Sequence, residues 1–258
     1  MLFLAGIGLT NRDVTSSALV ALKNSELLLD QYTNYIEQED INHLEGLFGK
    51  GIKPLERSDL EENAIQIVNR ARSGDVAILV SGDPLIATTH HTILDLAEKN
   101  SVQYGVFHSS NIFSAAIGQS GLDIYKFGPP TTITFWSENY KPISFIDVIK
   151  KNIANDEHTL ALFDYHYKEK RRMRLGEAIP LLHTADEQRK YGIMTPDRKL
   201  LIMGDVGKQT QTIEYVEFGK IDKRVLKKFE NKVISIIVPG KMNFAEEEAI
   251  HKFTSSSI

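Results

Sequence analysis

Short, wholly apolar runs recur through the first half of the chain, and the stretches between them are long enough to hold helices. The runs are Leu2–Ala5, Leu27-Leu28-Leu29 between Glu26 and Asp30, and Val76-Ala77-Ile78-Leu79-Val80, with a further strand expected at Gln103–His108. A sheet with one wet face alternates apolar and polar residues; a strand covered on both faces need not. Strands separated by helical crossovers pair in parallel, so the pattern predicts a mostly parallel sheet with helices on both sides. Val14, Ala18 and Leu22 recur every four residues, as one helix face would. Ser58-Asp59-Leu60-Glu61 has the form of a capping box. It predicts a helix running to about Ser73-Gly74 with Ile65 and Val68 inward, and another helix is expected near Thr92–Lys99.

The second half has a different rhythm. Strands are expected at Thr131–Trp136, Thr159–Tyr165, Leu200–Met203, Ile213–Phe218 and Val233–Val238. Between Met203 and Ile213 the linker is too short for a helical crossover, which predicts an antiparallel pair. Helices are expected at Ile143–Ile153, Gly176–Lys190, Lys223–Phe229 and from about Asn243. Pro180 must then lie in its helix's first turn or kink it. The tail Thr254-Ser255-Ser256-Ser257 should fray. The expected fold is therefore α/β in two domains. Residues 1–110 would form a parallel N-terminal domain and 111–258 a mixed C-terminal one, and a length of 258 residues suits that division. Clefts between domains are favoured ligand sites.

Composition closes several routes. There is no cysteine, which excludes disulfides, thiolate metal sites and cysteine nucleophiles. The net charge of −4 gives generic nucleic-acid binding no support. No stretch approaches the roughly 18 apolar residues of a membrane span, and the start lacks the basic region of a signal peptide. A soluble, cytoplasmic protein is expected.

Three features bear on chemistry. Gly6-Ile7-Gly8 after the first strand would let the backbone turn tightly against a ligand. A dinucleotide fingerprint needs a third glycine where Asn11 stands, yet Asp30 is placed where a ribose-binding acid would be. A nicotinamide-type or nucleotide-binding protein is therefore a rival, and two glycines in an ordinary turn are the plain alternative. Asp83 follows the strand Val76–Val80 and precedes Pro84. It is either a helix N-cap with proline at the first helical position, or a ligand contact at the strand's carboxyl end, or both. Lys168–Arg174 holds five cations in seven residues; such runs are usually solvated, though arginine forks suit carboxylates. His90-His91 diverge on a helix and do not suggest a metal, and no serine-hydrolase elbow is present.

Several stretches taken together go further. GIGLTNRDVT, SGDPLIATTHH, HSSNIFSAAIGQSGLDIYKFG, HTLALFDYH and IIVPGK occur in this order. They resemble the diphthine synthase family of the tetrapyrrole-methylase-like superfamily, archaeal type, over essentially the whole chain. The resemblance implies two α/β domains clasping S-adenosylmethionine in the cleft between them, usually in a homodimer, with no metal. It implies translation elongation factor 2 as the protein substrate. One of that factor's histidines carries an amino-carboxypropyl group, whose amine is methylated repeatedly to a trimethylammonium. The carboxyl methylation of eukaryotic relatives is not expected. Cofactor contacts carried over by motif are Leu9, Asp83, Ile86, Asn111, Ile112, Phe163, Val206 and Ile234. Asn111 stands where serine is common, Phe163 where leucine is usual, and Ile234 where histidine is frequent, so a contact at Ile234 would be through backbone. The resemblance names no catalytic residue. His108 and Tyr125 are candidates for the base that deprotonates the amine, each with a structural role as its default. A different methylase of the superfamily, acting on a tetrapyrrole or on ribosomal RNA, is the alternative.

Overall fold

The computed structural model describes residues 1–254, and the chain divides into two units. The first comprises Met1–Ile112 together with Tyr167–Lys170; the second comprises Phe113–His166 and the residues from Arg171 onward. The first unit contains β1 (Leu2–Gly6), α1 (Ser16–Ala21), β2 (Glu26–Asp30), α2 (Gln38–Phe48), β3 (Lys53–Leu55), α3 (Arg57–Glu61), α4 (Ala64–Ser73), β4 (Val76–Val80), α5 (His91–Lys99) and β5 (Tyr104–Phe107). Its sheet is ordered β3-β2-β4-β1-β5 and every pairing is parallel.

The two-residue period of a strand explains why this sheet needs helices on both faces. Leu2, Leu4, Leu28, Val76, Ile78 and Val80 enter one apolar core with Ile67, Val68, Ala71, Ile93 and Ala97 of α4 and α5. The intervening residues Ala5, Leu27, Leu29, Ala77 and Leu79 enter a second core with Ala18, Leu22 and Leu44. A residue of either set is fully buried, so the apolar run carries no polar alternation.

Local details depart from the sequence expectation. The cap of α3 is formed two residues earlier than Ser58: Glu56 precedes the helix and its N–H donates to Asp59 Oδ2 at 2.9 Å. Helices α3 and α4 are separate, and Ile67 rather than Ile65 points inward, Ile65 being exposed. Val14 lies before α1, whose N-cap is Thr15.

Helix α6 (Ile112–Ser120) leads into the second unit. There follow β6 (Thr131–Ile133), α7 (Ser144–Ala154), β7 (Thr159–Phe163), the short pair β8 (Tyr165–His166) and β9 (Arg171–Arg172), α8 (Leu175–Arg189), β10 (Lys199–Gly204), β11 (Thr212–Glu217), α9 (Lys223–Lys228), β12 (Ile234–Val238) and α10 (Phe244–His251). The main sheet is mixed, ordered β11-β10-β12-β7-β6. The β10–β11 pair is antiparallel as its short linker requires, and β6–β7 is parallel. Pro180 sits inside α8, beyond the first turn. Strand β6 stops at Ile133, short of Trp136. Thr254, expected to fray, bridges to Tyr215; Ser255, Ser256 and Ser257 lie outside the described residues.

Candidate functional site

The carboxyl edge of the first sheet is where the backbone is most unusual. After β1 and β4 the chain turns through Gly8 (φ 69°) and Gly82 (φ 73°), conformations that side-chain-bearing residues rarely adopt. The two turns lace together: Gly8 N–H donates to Gly82 O at 3.1 Å and Gly82 N–H to Gly8 O at 2.9 Å. A Cβ at Gly8 would strike Asp13 Cβ at 2.4 Å, whereas one at Gly82 would meet nothing closer than Ser110 O at 3.9 Å. Above Gly82 the edge is therefore open. Asn11, in the place of a third glycine, is itself left-handed (φ 60°). Asparagine visits that conformation more readily than most residues, and here its side chain is anchored by distant partners: Asn11 Oδ1 accepts from Ser81 Oγ at 2.7 Å and Nδ2 donates to Asp40 at 3.3 Å.

Asp83 is not a helix cap. Residues 84–90 form turns, with Ala87 left-handed (φ 57°), and α5 begins only at His91. Asp83 is buried, and its Oδ1 accepts from Leu85 N–H at 3.0 Å, closing a turn of its own. Its Oδ2 accepts from Ser109 N–H at 3.2 Å and from the His108 ring Nδ1 at 2.8 Å. The carboxylate thus joins the end of β4 to the end of β5. Leu9, after β1, donates its N–H to Ser110 Oγ at 3.0 Å. Ile86 keeps an exposed side chain, and Asn111 and Ile112 open α6 just beyond. Five of the eight carried-over positions are thus gathered along one sheet edge, the edge where α/β proteins bind ligands. Ser109, Ser110 and the His108–Asp83 bond complete it. Nothing local in the sequence points to that bond, because its partners are 25 residues apart.

Asp30 does not serve a ribose. Its Oδ1 accepts from Tyr32 and Thr33 N–H at 2.7 and 3.1 Å, its Oδ2 from Thr33 Oγ1 and from the His90 ring Nε2 at 3.2 Å, and it is fully buried. Burial alone would raise this carboxyl, but the bonds from His90 and Thr33 outweigh it and hold it below the usual carboxylate range. The His90 Nδ1 meets Pro84 O at 3.0 Å, so the whole ring is spent on holding the turn. The acid that favoured a nicotinamide protein is structural.

In the second unit the remaining three positions share one edge of the mixed sheet. Ser235 is in register with Leu162, which places Ile234 beside Phe163, and Phe163 is in register with Ile133. Gly204 pairs with Ile234, and the turn carrying Val206 is tied to β12 by Asp205 N–H donating to Val233 O at 2.8 Å. Val206 and Ile234 are buried. Thr134, one residue past Ile133, has a buried hydroxyl without a hydrogen-bond partner among the described residues; sequence reading passed it over.

Other features of the sequence turn out to be structural. His158 is fully buried; Gly240 N–H donates to its Nδ1 at 3.0 Å, so its Nε2 carries the proton and donates to Glu246 Oε1 at 2.9 Å. Glu246 also takes Lys126 Nζ at 2.7 Å and the N–H groups of Asp123 and Asn243. Although burial would raise it, these donors bring Glu246 down to about 2, and burial lowers His158. The stretch GLDIYKFG is thereby locked onto α10, leaving Tyr125 exposed. Of the basic run, Arg171 lies 4.3 Å over the Phe135 ring and bonds Glu177, so it is a packing residue rather than a free cation.

A parallel sheet with a glycine-lined carboxyl edge, followed by a mixed sheet, is the architecture of a methylase class. The family described as Tetrapyrrole (Corrin/Porphyrin) Methylases matches residues 1–222. Within that class the likeness is specific. The chain is 34% identical over 254 residues to the diphthine synthase of Methanocaldococcus jannaschii, covering 97% of each, and 33% identical over 252 residues to that of Methanococcus maripaludis, again covering 97% of each. A crystal structure of diphthine synthase superposes with a TM-score of 0.85 at 30% identity, over 98% of this chain and 95% of the other. The chain belongs to the tetrapyrrole methylase family and, within it, to the diphthine synthases; it is a methyltransferase. The alternative of another methylase of the superfamily is not favoured. Among the described residues no helix is long and apolar enough to cross a membrane.

Proposed function

We propose that the protein binds S-adenosylmethionine and successively methylates the amino group of the amino-carboxypropyl-modified histidine of translation elongation factor 2, giving diphthine. The observation that carries this reading is the laced pair of left-handed turns at Gly8 and Gly82, with open space above Gly82 and the buried carboxylate of Asp83 beside it. Such an edge fits a nucleoside bearing hydroxyls and a positive charge. The tight backbone turns would allow close approach, exposed Ile86 would offer an apolar surface for a base, and Asp83 would supply negative charge from behind the His108 ring. Leu9, Asp83, Ile86, Asn111 and Ile112 are the proposed cofactor contacts of the first unit, and Phe163, Val206 and Ile234 those of the second. The unpartnered Thr134 hydroxyl supports a polar ligand there. Bound, the cofactor supplies an electrophilic methyl on sulfur.

Methyl transfer of this kind is an in-line displacement needing neither metal nor covalent enzyme intermediate. The protein's part is to hold amine and methyl about 3–3.5 Å apart and aligned. The reaction takes place in the cytoplasm with a homodimeric enzyme. The test is methyl transfer from labelled cofactor to elongation factor 2, with and without the amino-carboxypropyl group, read by mass. Three methyls on the modified factor are expected, and labelling of the unmodified factor would overturn the acceptor.

A further inference from the structure

We propose that His108 Nε2 is the base that takes a proton from the substrate amine before each methyl transfer, with Asp83 as its positioning residue; this rests on the function proposed above. His108 stands directly after β5, on the same sheet edge as Leu9, Ile86 and Asn111. Its Nδ1–H donates to Asp83 Oδ2 at 2.8 Å, which fixes the tautomer and leaves the lone pair on Nε2. Asp83 is itself held by Leu85 and Ser109 N–H, so the carboxylate is not free to swing away. The ring is 67% exposed while its carboxylate is 4% exposed, and Nε2 has no hydrogen-bond partner among the described residues. A nitrogen base aimed outward and oriented from behind by a buried acid is the arrangement that accepts protons from a bound reactant.

The other carboxylate-bonded histidines of the interior lack this freedom. His90 is buried between Asp30 and Pro84 O, and His158 between Glu246 and Gly240 N–H, so both nitrogens of each are occupied. Tyr125 belongs to the loop that Glu246 locks. Asp83 is the carboxylate bonded to His108, and Asp13 lies behind the next two residues, its backbone oxygen taking Ser109 Oγ at 2.9 Å and its carboxylate Ser110 Oγ at 3.3 Å.

The step balances. The ammonium gives one proton to Nε2; the lone pair left on nitrogen forms a bond to the methyl carbon as the carbon–sulfur bond breaks, and that pair stays on sulfur as a neutral thioether. The imidazolium, steadied by Asp83, returns its proton to water. The monomethyl and dimethyl products are again ammonium ions with a proton to lose. The trimethyl product has none, so the need for a base ends with it.

The experiment measures single-turnover methylation of amino-carboxypropyl elongation factor 2 across neutral pH, alongside calorimetric affinity for S-adenosylmethionine. His108→Gln should lower the rate by about 10²–10⁴-fold and leave cofactor affinity within a small factor. It should also abolish the acidic limb of the rate profile, and added imidazole should restore part of the activity of His108→Ala. Nitrogen NMR of the free wild-type protein should show the Nδ1-protonated tautomer, which Asp83→Asn should lose. His108→Gln turning over at the wild-type rate with the same pH profile overturns the assignment, as does a wild-type ring protonated on Nε2 when neutral. A wild-type protein that neither binds the cofactor nor transfers methyl removes the proposed function itself. A wild-type protein that transfers methyl no faster than His108→Gln removes only the role of His108.

Discussion

His158 and His108 each meet a carboxylate at 2.9 and 2.8 Å, and the resemblance ends there. At His158 both partners are buried, both ring nitrogens are engaged, and Glu246 collects donors from Lys126, Asp123, Asn243 and His158. At His108 only the acid is buried, and one ring nitrogen is left to the outside. The first pair can do nothing but hold the GLDIYKFG loop to α10. The second has its geometry set by the fold and its reactivity left unused by it. Histidine next to a carboxylate is therefore no guide to chemistry; the occupancy of the second nitrogen is.

The largest effects should come from breaking the buried lock. Glu246→Ala removes the acceptor of four donors and leaves Lys126 with the Lys241 carbonyl but no counter-charge, a class of change that costs about 3–5 kcal/mol, read as a shift in the denaturation midpoint. Acid should undo the same lock in two stages. His158 is held neutral, below its ordinary range, so the unfolded chain binds the extra proton and stability declines as pH falls through about 6.5 and below. Glu246, brought from 4.5 to about 2, contributes fully above 4.5 and loses its share as pH falls toward 2. That share is on the order of 3 kcal/mol. In Glu246→Gln the lower part of this pH dependence should flatten; an unchanged curve would place the acid lability elsewhere.

How much of this was legible in the sequence follows the range of the interactions. The parallel sheet could be read because Leu27–Leu29 and Val76–Val80 are buried on both faces, and the β10–β11 hairpin because the seven residues 205–211 cannot hold a crossover. Helix α2 and the three-residue β3 passed unnoticed; α2 is rich in polar residues and β3 is too short to show a period. Ile65, Ile67 and Val68 are all apolar, so a small rotation of α4 decides which of them is inside, and only packing against β4 settles it. The glycines and Asp83 of the site stood out as residue types. Their roles did not, since Asp83's partners His108 and Ser109 come from another strand and Asp30's spare oxygen is taken by His90, sixty residues on.

Smaller effects are expected where the sheet edge is changed. Gly82→Ala meets no steric obstacle but forces alanine into a left-handed conformation, which costs about 1–2 kcal/mol. The same methyl projects into the open space proposed for the cofactor, so affinity for S-adenosylmethionine should fall further than thermal stability does. Equal losses in both would mean that the turn is structural alone.

The smallest change in stability should come from His108→Ala. Its ring is mostly outside, and removing it deletes one hydrogen bond to a carboxylate that keeps two backbone donors. A loss within about 1 kcal/mol is expected, measured by the same denaturation used for Glu246→Ala, while His158→Ala, from a fully buried site, should lose several times as much. If His108→Ala instead destabilised the protein as severely as His158→Ala, the two pairs would be equivalent anchors, and the outward nitrogen of His108 would have no claim to be held in reserve for a substrate.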